Sequence, residues 1–238
     1  MEDNYNGKSN KDKARVLLIQ PPQLLYRKNI KRCVPPLGMA YIAAVLEQDG
    51  FNVKILDAYV EKMKKDGKGK PYDVVVGVSG GCDSSYMLHL AKKELGLRVL
   101  AAHFDNTFNS RIAVENIDIV LNKLDIDLYT HVVDNEEYQR IYKSFFLASV
   151  PEIDTPTDIS LATVHYMAAA KYGIKHIWEG HSFRTEGITP HGWVYMDAKY
   201  VQTVHSKFGD GKIKTLPVLW MSKWLKWMLV DGIKKYRP

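Results

Sequence analysis

The residues best suited to chemistry lie in one short segment, SGGCDSS (residues 79–85), just after a run of valines that ends at Gly77. An apolar run closed by glycine is typical of a buried parallel strand. Glycines between a strand and a helix let backbone N–H groups converge on an anion at the helix N-terminus. The serine hydroxyls add donors, and the carboxylate of Asp83 can hold Mg²⁺ against phosphate oxygens. The segment therefore predicts a phosphate-binding loop.

This segment differs from a Walker sequence, because no Gly-Lys-Ser/Thr follows it, and it is not GxGxxG. A strand–turn–helix with an ordinary serine cap is the alternative interpretation. The pattern Ser-Gly-Gly-x-Asp-Ser resembles the pyrophosphate loop of the PP-loop ATP pyrophosphatases, which implies attack of a substrate oxygen on the α-phosphate of ATP and release of AMP. The loop residues that this resemblance places on ATP are Val78, Ser79, Gly80, Gly81, Asp83, Ser84 and Ser85.

The composition indicates a soluble globular protein. Of its 238 residues, 46% are hydrophobic and 25% are charged, which is ordinary for this class. The sequence has no apolar run of about 18 residues and no signal peptide. We therefore expect no membrane partner. Cys33 and Cys82 form neither a disulfide framework nor a zinc pair, so we expect a cytoplasmic protein. The net charge of +6 suits an anionic substrate. Its lysine clusters are typical of solvated linkers, and we expect no nucleic-acid partner.

The pattern of the chain predicts four segments: a disordered tail (1–14), a β-α-β unit (15–60), a linker (61–71) and a PP-loop domain (72–238). Residues 15–60 run strand, Pro-Pro, loop, PPLG helix, strand. This order resembles the start of the cobalamin-binding domain found ahead of many radical SAM enzymes. The Asp-x-His-x-x-Gly motif and the cysteine triplet of those proteins are missing. We therefore predict neither cobalamin nor an iron–sulfur cluster.

Beyond residue 71 strands and helices alternate. We predict strands at 98–103, 127–133 and 175–179 besides the valine run. Helices are predicted at 84–96, 110–124, 136–149, 158–172 and 222–235. This alternation indicates an α/β fold with a doubly wound, Rossmann-like parallel sheet, whose ligands bind at the carboxyl ends of the strands. The final helix carries Trp224, Leu225, Trp227 and Met228 on one stripe. Such a stripe is usually core, and a partner surface is the open alternative.

Two further segments should reach the carboxyl edge of this sheet. The first is His103-Phe104-Asp105, whose backbone can pair with adenine while Phe104 packs on the ring; the alternative is that these side chains cap the sheet. The second holds Thr157 and Asp158, which either cap the following helix or bind substrate near its N-terminus.

A third segment follows the strand at 175–179 and begins with Gly180, which we predict to contact ATP. His181 could donate to a phosphate or act as an acid or base. Arg184 is a fixed cation for phosphate or substrate, and Glu186 is a possible second metal ligand. We predict Asp83, His181 and Arg184 as catalytic residues, with a structural role for the histidine and arginine as the alternative.

From residue 61 onward the chain resembles the N-acetyl sugar amidotransferases of lipopolysaccharide and flagellar glycan synthesis. Phe183-Arg184 stands where tRNA-modifying branches typically carry an Asp-Asp pair. The resemblance implies ATP and Mg²⁺, a nucleotide-linked N-acetyl sugar, a separate glutaminase and a cyclase-like subunit. The segments that carry it are EKMKKDGKGKPYD, VSGGCDSS, TPTDIS, EGHSFRTEGITPHGW and KTLPVLWMSKWLKWMLVDGIKKYRP.

The chain departs from that family in two places. Family members usually begin with a segment like a zinc ribbon, where this chain has residues 15–60, and they continue past the position of Pro238. We therefore expect a C-terminally truncated PP-loop domain. Three interpretations remain open: an amidotransferase subunit, another PP-loop enzyme that modifies tRNA or forms amides, and a nucleotide-binding protein without turnover.

Overall fold

The computed structural model of this protein describes residues 15–20, 37–180 and 197–236. The chain divides into two compact units, Met1–Lys62 and Met63–Pro238. In the first unit, strands β1 (Arg15–Gln20) and β2 (Asn52–Asp57) are parallel and flank helix α1 (Leu37–Gln48) in the chain. This is the β-α-β arrangement expected for residues 15–60. The tail predicted over residues 1–14 lies outside the described residues.

Helix α2 (Ala58–Asp66) occupies most of the segment that the sequence predicts as a linker. Although this helix is rich in lysine, the side chain of its Met63 is fully buried. The carboxylate of Asp66 accepts a hydrogen bond from Nε2 of His176, at 2.9 Å. The second unit therefore begins at Met63, ahead of the predicted start at Tyr72.

A five-stranded sheet forms the centre of the second unit, in the order β5-β4-β3-β6-β7, with all strands parallel. Strand β3 lies in the middle, and its Val76 pairs with Ala101 on one side and Trp178 on the other. The chain adds strands first on one side of β3 and then on the other, so the predicted doubly wound α/β sheet is confirmed. The strands are β3 (Val74–Gly77), β4 (Val99–Asp105), β5 (Asp127–Val132), β6 (His176–Trp178) and β7 (Lys234–Tyr236).

Five of the six helices described in the second unit begin close to where the sequence predicts them, and the helix at Ala198–Phe208 was not predicted. Local caps set several of the helix ends. Ser110 accepts a hydrogen bond from the N–H of Ala113 at 3.2 Å, and Asp134 accepts one from the N–H of Glu137 at 2.8 Å. These bonds satisfy backbone donors that a helix start leaves open. The helices in the described ranges are α3 (Cys82–His89, continued by a π turn over Leu90–Glu94), α4 (Arg111–Leu124), α5 (Asn135–Leu147), α6 (Thr155–Tyr172), α7 (Ala198–Phe208) and α8 (Met221–Leu225, continued by a π turn over Lys226–Val230).

The segment after α8 corrects the sequence prediction, which extended a helix through residue 235. Gly232 has a φ of +66°, in the left-handed region that ends helices. The buried Ile233 follows, and the N–H of Lys234 donates to the carbonyl of Lys175 at 2.7 Å. The chain thereby turns into β7, an edge strand of the sheet.

The predicted apolar stripe divides between core and surface. Trp227 is buried and stacks on Tyr166, with ring centroids 5.6 Å apart. Trp224 and Met228 are half-buried, and Leu225 is exposed. No helix in the described part of the chain has the length and apolar character that a membrane crossing requires.

Candidate functional site

A cavity of about 330 Å³ opens at the carboxyl end of β3. It lies where the chain order of the sheet reverses, between β3 and β6, which is the usual ligand crevice of a doubly wound sheet. Its walls come from the glycine-rich loop, from one face of α6 and from the segment after β6. The lining residues are Gly77, Val78, Ser79, Gly81, Cys82, Asp83, Ser84, Leu161, His165, Glu179 and Gly180.

Gly80 shapes the loop in a way that no other residue could. Its φ is +78°, and a Cβ placed there would lie 2.3 Å from the carbonyl oxygen of Ala113 on α4. The carbonyl of Gly80 accepts a hydrogen bond from the side-chain amide of Asn116, 3.0 Å away. Helix α4 therefore holds the outer side of the loop in direct backbone contact.

The serines of the loop bind the loop itself. The hydroxyl of Ser84 accepts from the N–H of Ser79 and donates to the carbonyl of Gly81, both at 3.2 Å. The hydroxyl of Ser85 donates to the same carbonyl at 2.8 Å. These bonds fix the backbone at the start of α3. Because its N-cap is Gly81, no side chain occupies the first N–H groups of that helix, which suits them to a bound anion.

His103 supports the loop from the side of β4. Nδ1 lies 2.9 Å from the carbonyl of Val78, and Nε2 lies 3.2 Å from the side-chain nitrogen of Asn109. A carbonyl can only accept, so Nδ1 carries the proton and Nε2 accepts from the amide. His103 thus acts on the loop backbone, and it is absent from the cavity wall.

His165 belongs to the cavity although the sequence analysis missed it. It lies on α6, one turn after Leu161, and is 1% exposed. A Cβ on Gly77 would lie 2.6 Å from its Cε1, so the imidazole is in contact with the last residue of β3. A histidine within an apolar helix resembles a core residue in sequence, and only the long-range contact with β3 marks it.

Glu179 connects His165 to the edge of the sheet. Its Oε1 lies 3.9 Å from Nδ1 of His165 and 2.6 Å from Nζ of Lys235 on β7. The carboxylate is buried and lines the cavity. The C-terminal strand, which the sequence analysis predicted as helix, therefore supplies a cation to the support of this site.

Two other residues that were predicted to bind ATP do not line the cavity. Phe104 is buried, packs with His131 and Tyr138, and is not among the residues that line the cavity. Asp105 accepts hydrogen bonds from the N–H of Thr107 and the side chain of Asn109. These contacts close the turn after β4.

Thr157 and Asp158 lie within the first turn of α6 rather than at its cap, because the helix begins at Thr155. The hydroxyl of Thr157 donates to Asp154 at 2.6 Å. A hydroxyl has one proton, so the Tyr138 phenol donates to Thr157 in the hydrogen bond between these two side chains. Burial raises the pKa of Tyr138 to about 12, which keeps this donor protonated. Neither Thr157 nor Asp158 lines the cavity.

His181, Arg184 and Glu186 lie outside the described residues, so the structure gives no position for them. Gly180 lines the cavity, and a Cβ there would be 3.9 Å from the backbone nitrogen of Ser84. Gly180 therefore lies beside the start of α3.

A protein-family model described as NAD synthase matches residues 52–159, which include the glycine-rich loop and strands β3 to β5. The match covers less than half of the chain.

Several known proteins resemble parts of the chain. Cytidylyl-2-hydroxyethylphosphonate methyltransferase of Streptomyces wedmorensis is 53% identical over 47 residues, which are 20% of this chain and 9% of that protein. Glutamine-dependent NAD⁺ synthetase of Acinetobacter baumannii, solved with ADP, is 18% identical with a TM-score of 0.41, over 63% of this chain and 30% of its own. NMN synthetase of Francisella tularensis is 20% identical with a TM-score of 0.37, over 74% and 70%. The chain spans a small part of the first two proteins, so their whole activities do not transfer to it.

Proposed function

We propose that the PP-loop domain is the ATP-dependent subunit of an N-acetyl sugar amidotransferase, which converts an acetamido group to an acetamidino group. The observation that carries the proposal is the glycine-rich loop at the start of α3, which borders the cavity at the carboxyl end of the central strand. The NAD synthase match supports an ATP-using enzyme of the amidotransferase or ligase type. The resemblance of residues 61–238 to the sugar amidotransferases supplies the substrate.

The loop would bind the pyrophosphate part of ATP. The first N–H groups of α3 and the positive end of its dipole favour an anion at this place. Ser79 is exposed and lines the cavity, so its hydroxyl is placed to donate to a phosphate oxygen. His103, through Val78, and Asn116, through Gly80, keep the loop in position while ligands exchange.

Mg²⁺ fits the residues that the structure describes. Asp83 is an exposed carboxylate on the cavity wall, and Mg²⁺ in nucleotide sites typically binds one or two carboxylates together with phosphate oxygens and water. Within the described ranges no three His, Cys, Asp or Glu residues form a metal-binding group, so Asp83 would act with the phosphates and with Glu186. The ion would neutralise charge on the phosphates.

The proposed reaction has two steps. The acetamido oxygen attacks the α-phosphorus, the bond to the β-phosphate breaks, and an O-adenylylated imidate and pyrophosphate form. Ammonia then adds to the imidate carbon, the carbon–oxygen bond breaks, and AMP leaves with the sugar oxygen. Amide oxygens are weak nucleophiles, so positioning and charge neutralisation supply most of the rate.

The other residues predicted from the sequence would also act in this reaction. His181 and Arg184 would face the α-phosphate or the substrate. Thr157 and Asp158, at the positive end of α6, would be on the sugar side. We place the reaction in the cytoplasm. A separate glutaminase and a cyclase-like subunit would deliver ammonia, since Cys82 is part of the loop itself.

The decisive experiment follows the sugar oxygen. The purified chain is incubated with ATP, Mg²⁺, ¹⁵N-ammonium and nucleotide-linked N-acetyl sugars that carry ¹⁸O in the acetamido group. Mass spectrometry should find ¹⁵N in the sugar, ¹⁸O in AMP and none in pyrophosphate. Folded wild-type protein that forms no AMP from any sugar would reject the proposal, while AMP release that depends on tRNA would indicate another PP-loop enzyme.

Asp83→Ala tests the metal role in the same assay. We expect AMP formation to fall at least about a hundredfold, because the phosphates lose their bound counter-charge. Asp118→Ala removes an exposed carboxylate on α4 and should leave the rate unchanged. Full activity of Asp83→Ala would remove that residue from the mechanism.

A further inference from the structure

Two buried histidines, one on β4 and one on α6, contact the junction between β3 and the loop. His103 contacts the carbonyl of Val78 from β4, and His165 contacts Gly77 from α6. Only His165 lines the cavity. It therefore touches both the strand that carries the loop and the space where the phosphates would bind.

The surroundings of His165 form a chain of ionisable groups from the edge of the sheet to the loop. Lys235 of β7 holds Glu179 at 2.6 Å, and Glu179 lies 3.9 Å from the imidazole Nδ1. All three side chains are largely buried, at 20%, 5% and 1% exposure. Lys235 thus offsets the charge of a buried carboxylate, and that carboxylate faces the ring nitrogen.

Gly77 shows how little freedom this contact allows. A Cβ there would lie 2.6 Å from Cε1 and 2.7 Å from Nε2 of His165, shorter than any ordinary van der Waals distance. Glycine at the end of β3 is therefore required by the ring beneath it. A displacement of the ring would move Gly77 and the loop that follows.

We infer that His165 is a positioning residue, which sets the place of the phosphate-binding loop through Gly77 and is itself oriented by Glu179 and Lys235. The inference rests on the proposed nucleotide site but not on the sugar chemistry. The function of His165 is to hold the loop backbone at a fixed distance from the pyrophosphate part of ATP.

The test measures binding of inorganic pyrophosphate and Mg-ATP by isothermal titration calorimetry in the full chain. We expect His165→Ala to bind pyrophosphate about tenfold more weakly, and Gly77→Ala likewise. In the double variant the added methyl group no longer meets the ring, so its affinity should equal that of His165→Ala. Losses that multiply in the double variant would overturn the inference, because they would show that the two residues act independently.

The chain provides a matched control at a second glycine–histidine contact. A Cβ on Gly209 would lie 2.5 Å from Nδ1 of His205, which is equally buried and does not line the cavity. Gly209→Ala and His205→Ala should lower the unfolding temperature and leave pyrophosphate affinity unchanged. Wild-type affinity in His165→Ala, with a lowered unfolding temperature, would reduce His165 to a core residue and overturn the inference.

Two further measurements separate a loss of binding from a failure to fold and from a failure of the proposed reaction. If His165→Ala does not fold, His165→Gln retains a planar polar side chain, and the same loss of affinity is expected in a folded protein. Should the wild type bind pyrophosphate but make no AMP from any sugar, the proposed reaction fails, and the binding comparison still decides the role of His165. Wild-type protein that binds neither ligand would overturn both.

Discussion

At the scale of single residues, Gly80 is where backbone conformation and packing coincide. We predict that Gly80→Ala weakens ATP binding at least about tenfold, because the methyl group would strike the backbone of Ala113 and push the loop off α4. Gly69→Ala is the matched control, since Gly69 has a φ of +79° and nothing within 4 Å of its Cβ position. It should lose about 1–2 kcal/mol of stability from the positive φ but keep its ATP affinity. Equal effects on ATP binding in both variants would contradict this explanation.

Tyr138 should make the protein sensitive to alkali. Burial raises its pKa from 10 to about 12, so the folded state holds the phenol proton more tightly than the unfolded state. The free energy of unfolding should be unaffected below pH 10 and should fall by about 3 kcal/mol as the pH rises from 10 through 12. Urea titrations of wild type and Tyr138→Phe test this, because the variant should lose that part of the slope. Identical slopes between pH 10 and 12 would refute the prediction, and pH 7 to 9 is the control range.

At the scale of secondary-structure elements, Arg98, just before β4, binds the segment that links α2 to β3. Its guanidinium donates to both carboxylate oxygens of Asp73, at 2.6 and 3.1 Å, and to the carbonyl of Gly67. Asp73 is 3% exposed and also accepts from the N–H of Arg98. The pair thus holds the segment between α2 and β3 against the start of β4.

We predict that Asp73→Asn lowers the free energy of unfolding by about 2 kcal/mol, because charged hydrogen bonds are lost in a mostly buried place. Glu115→Gln is the control: it breaks the exposed pair with Arg111 at 2.8 Å, and such pairs contribute at most about 0.5 kcal/mol. Chemical denaturation measures both. Similar losses in the two variants would show that burial does not matter here.

Some of the elements could be predicted from local sequence patterns, and others could not. The valines before Gly77 and the glycines after Ser79 are local patterns, and they predicted β3, the loop and the start of α3. Six of the residues predicted to bind ATP line one cavity, whereas Gly80 and Ser85 are not among its lining residues. By contrast, β7 is three residues long, Lys-Lys-Tyr, without alternation, and only its pairing with β6 makes it a strand. His165 and Lys235 were missed for the same reason, because their roles depend on contacts distant in the chain.

At the scale of the whole molecule, every residue that lines the cavity belongs to the second unit. We predict that a fragment of residues 58–238 folds and binds pyrophosphate within about twofold of the full chain. A fragment of residues 68–238 should be much less stable, since it lacks the buried Met63 and the Asp66 partner of His176. Thermal unfolding and calorimetry compare the two. A loss of binding in the longer fragment would show that residues 1–57 are needed at the site.

The sheet order also affects how the protein is made. Strand β3 leaves the ribosome early, but its neighbour β6 follows about a hundred residues later, and β7 after that. Chains fold as they are synthesised, and pairings between distant strands form late. The loop therefore emerges before Glu179 and Lys235 exist to support it. The support that Lys235 gives to Glu179 can form only after β7 has been synthesised.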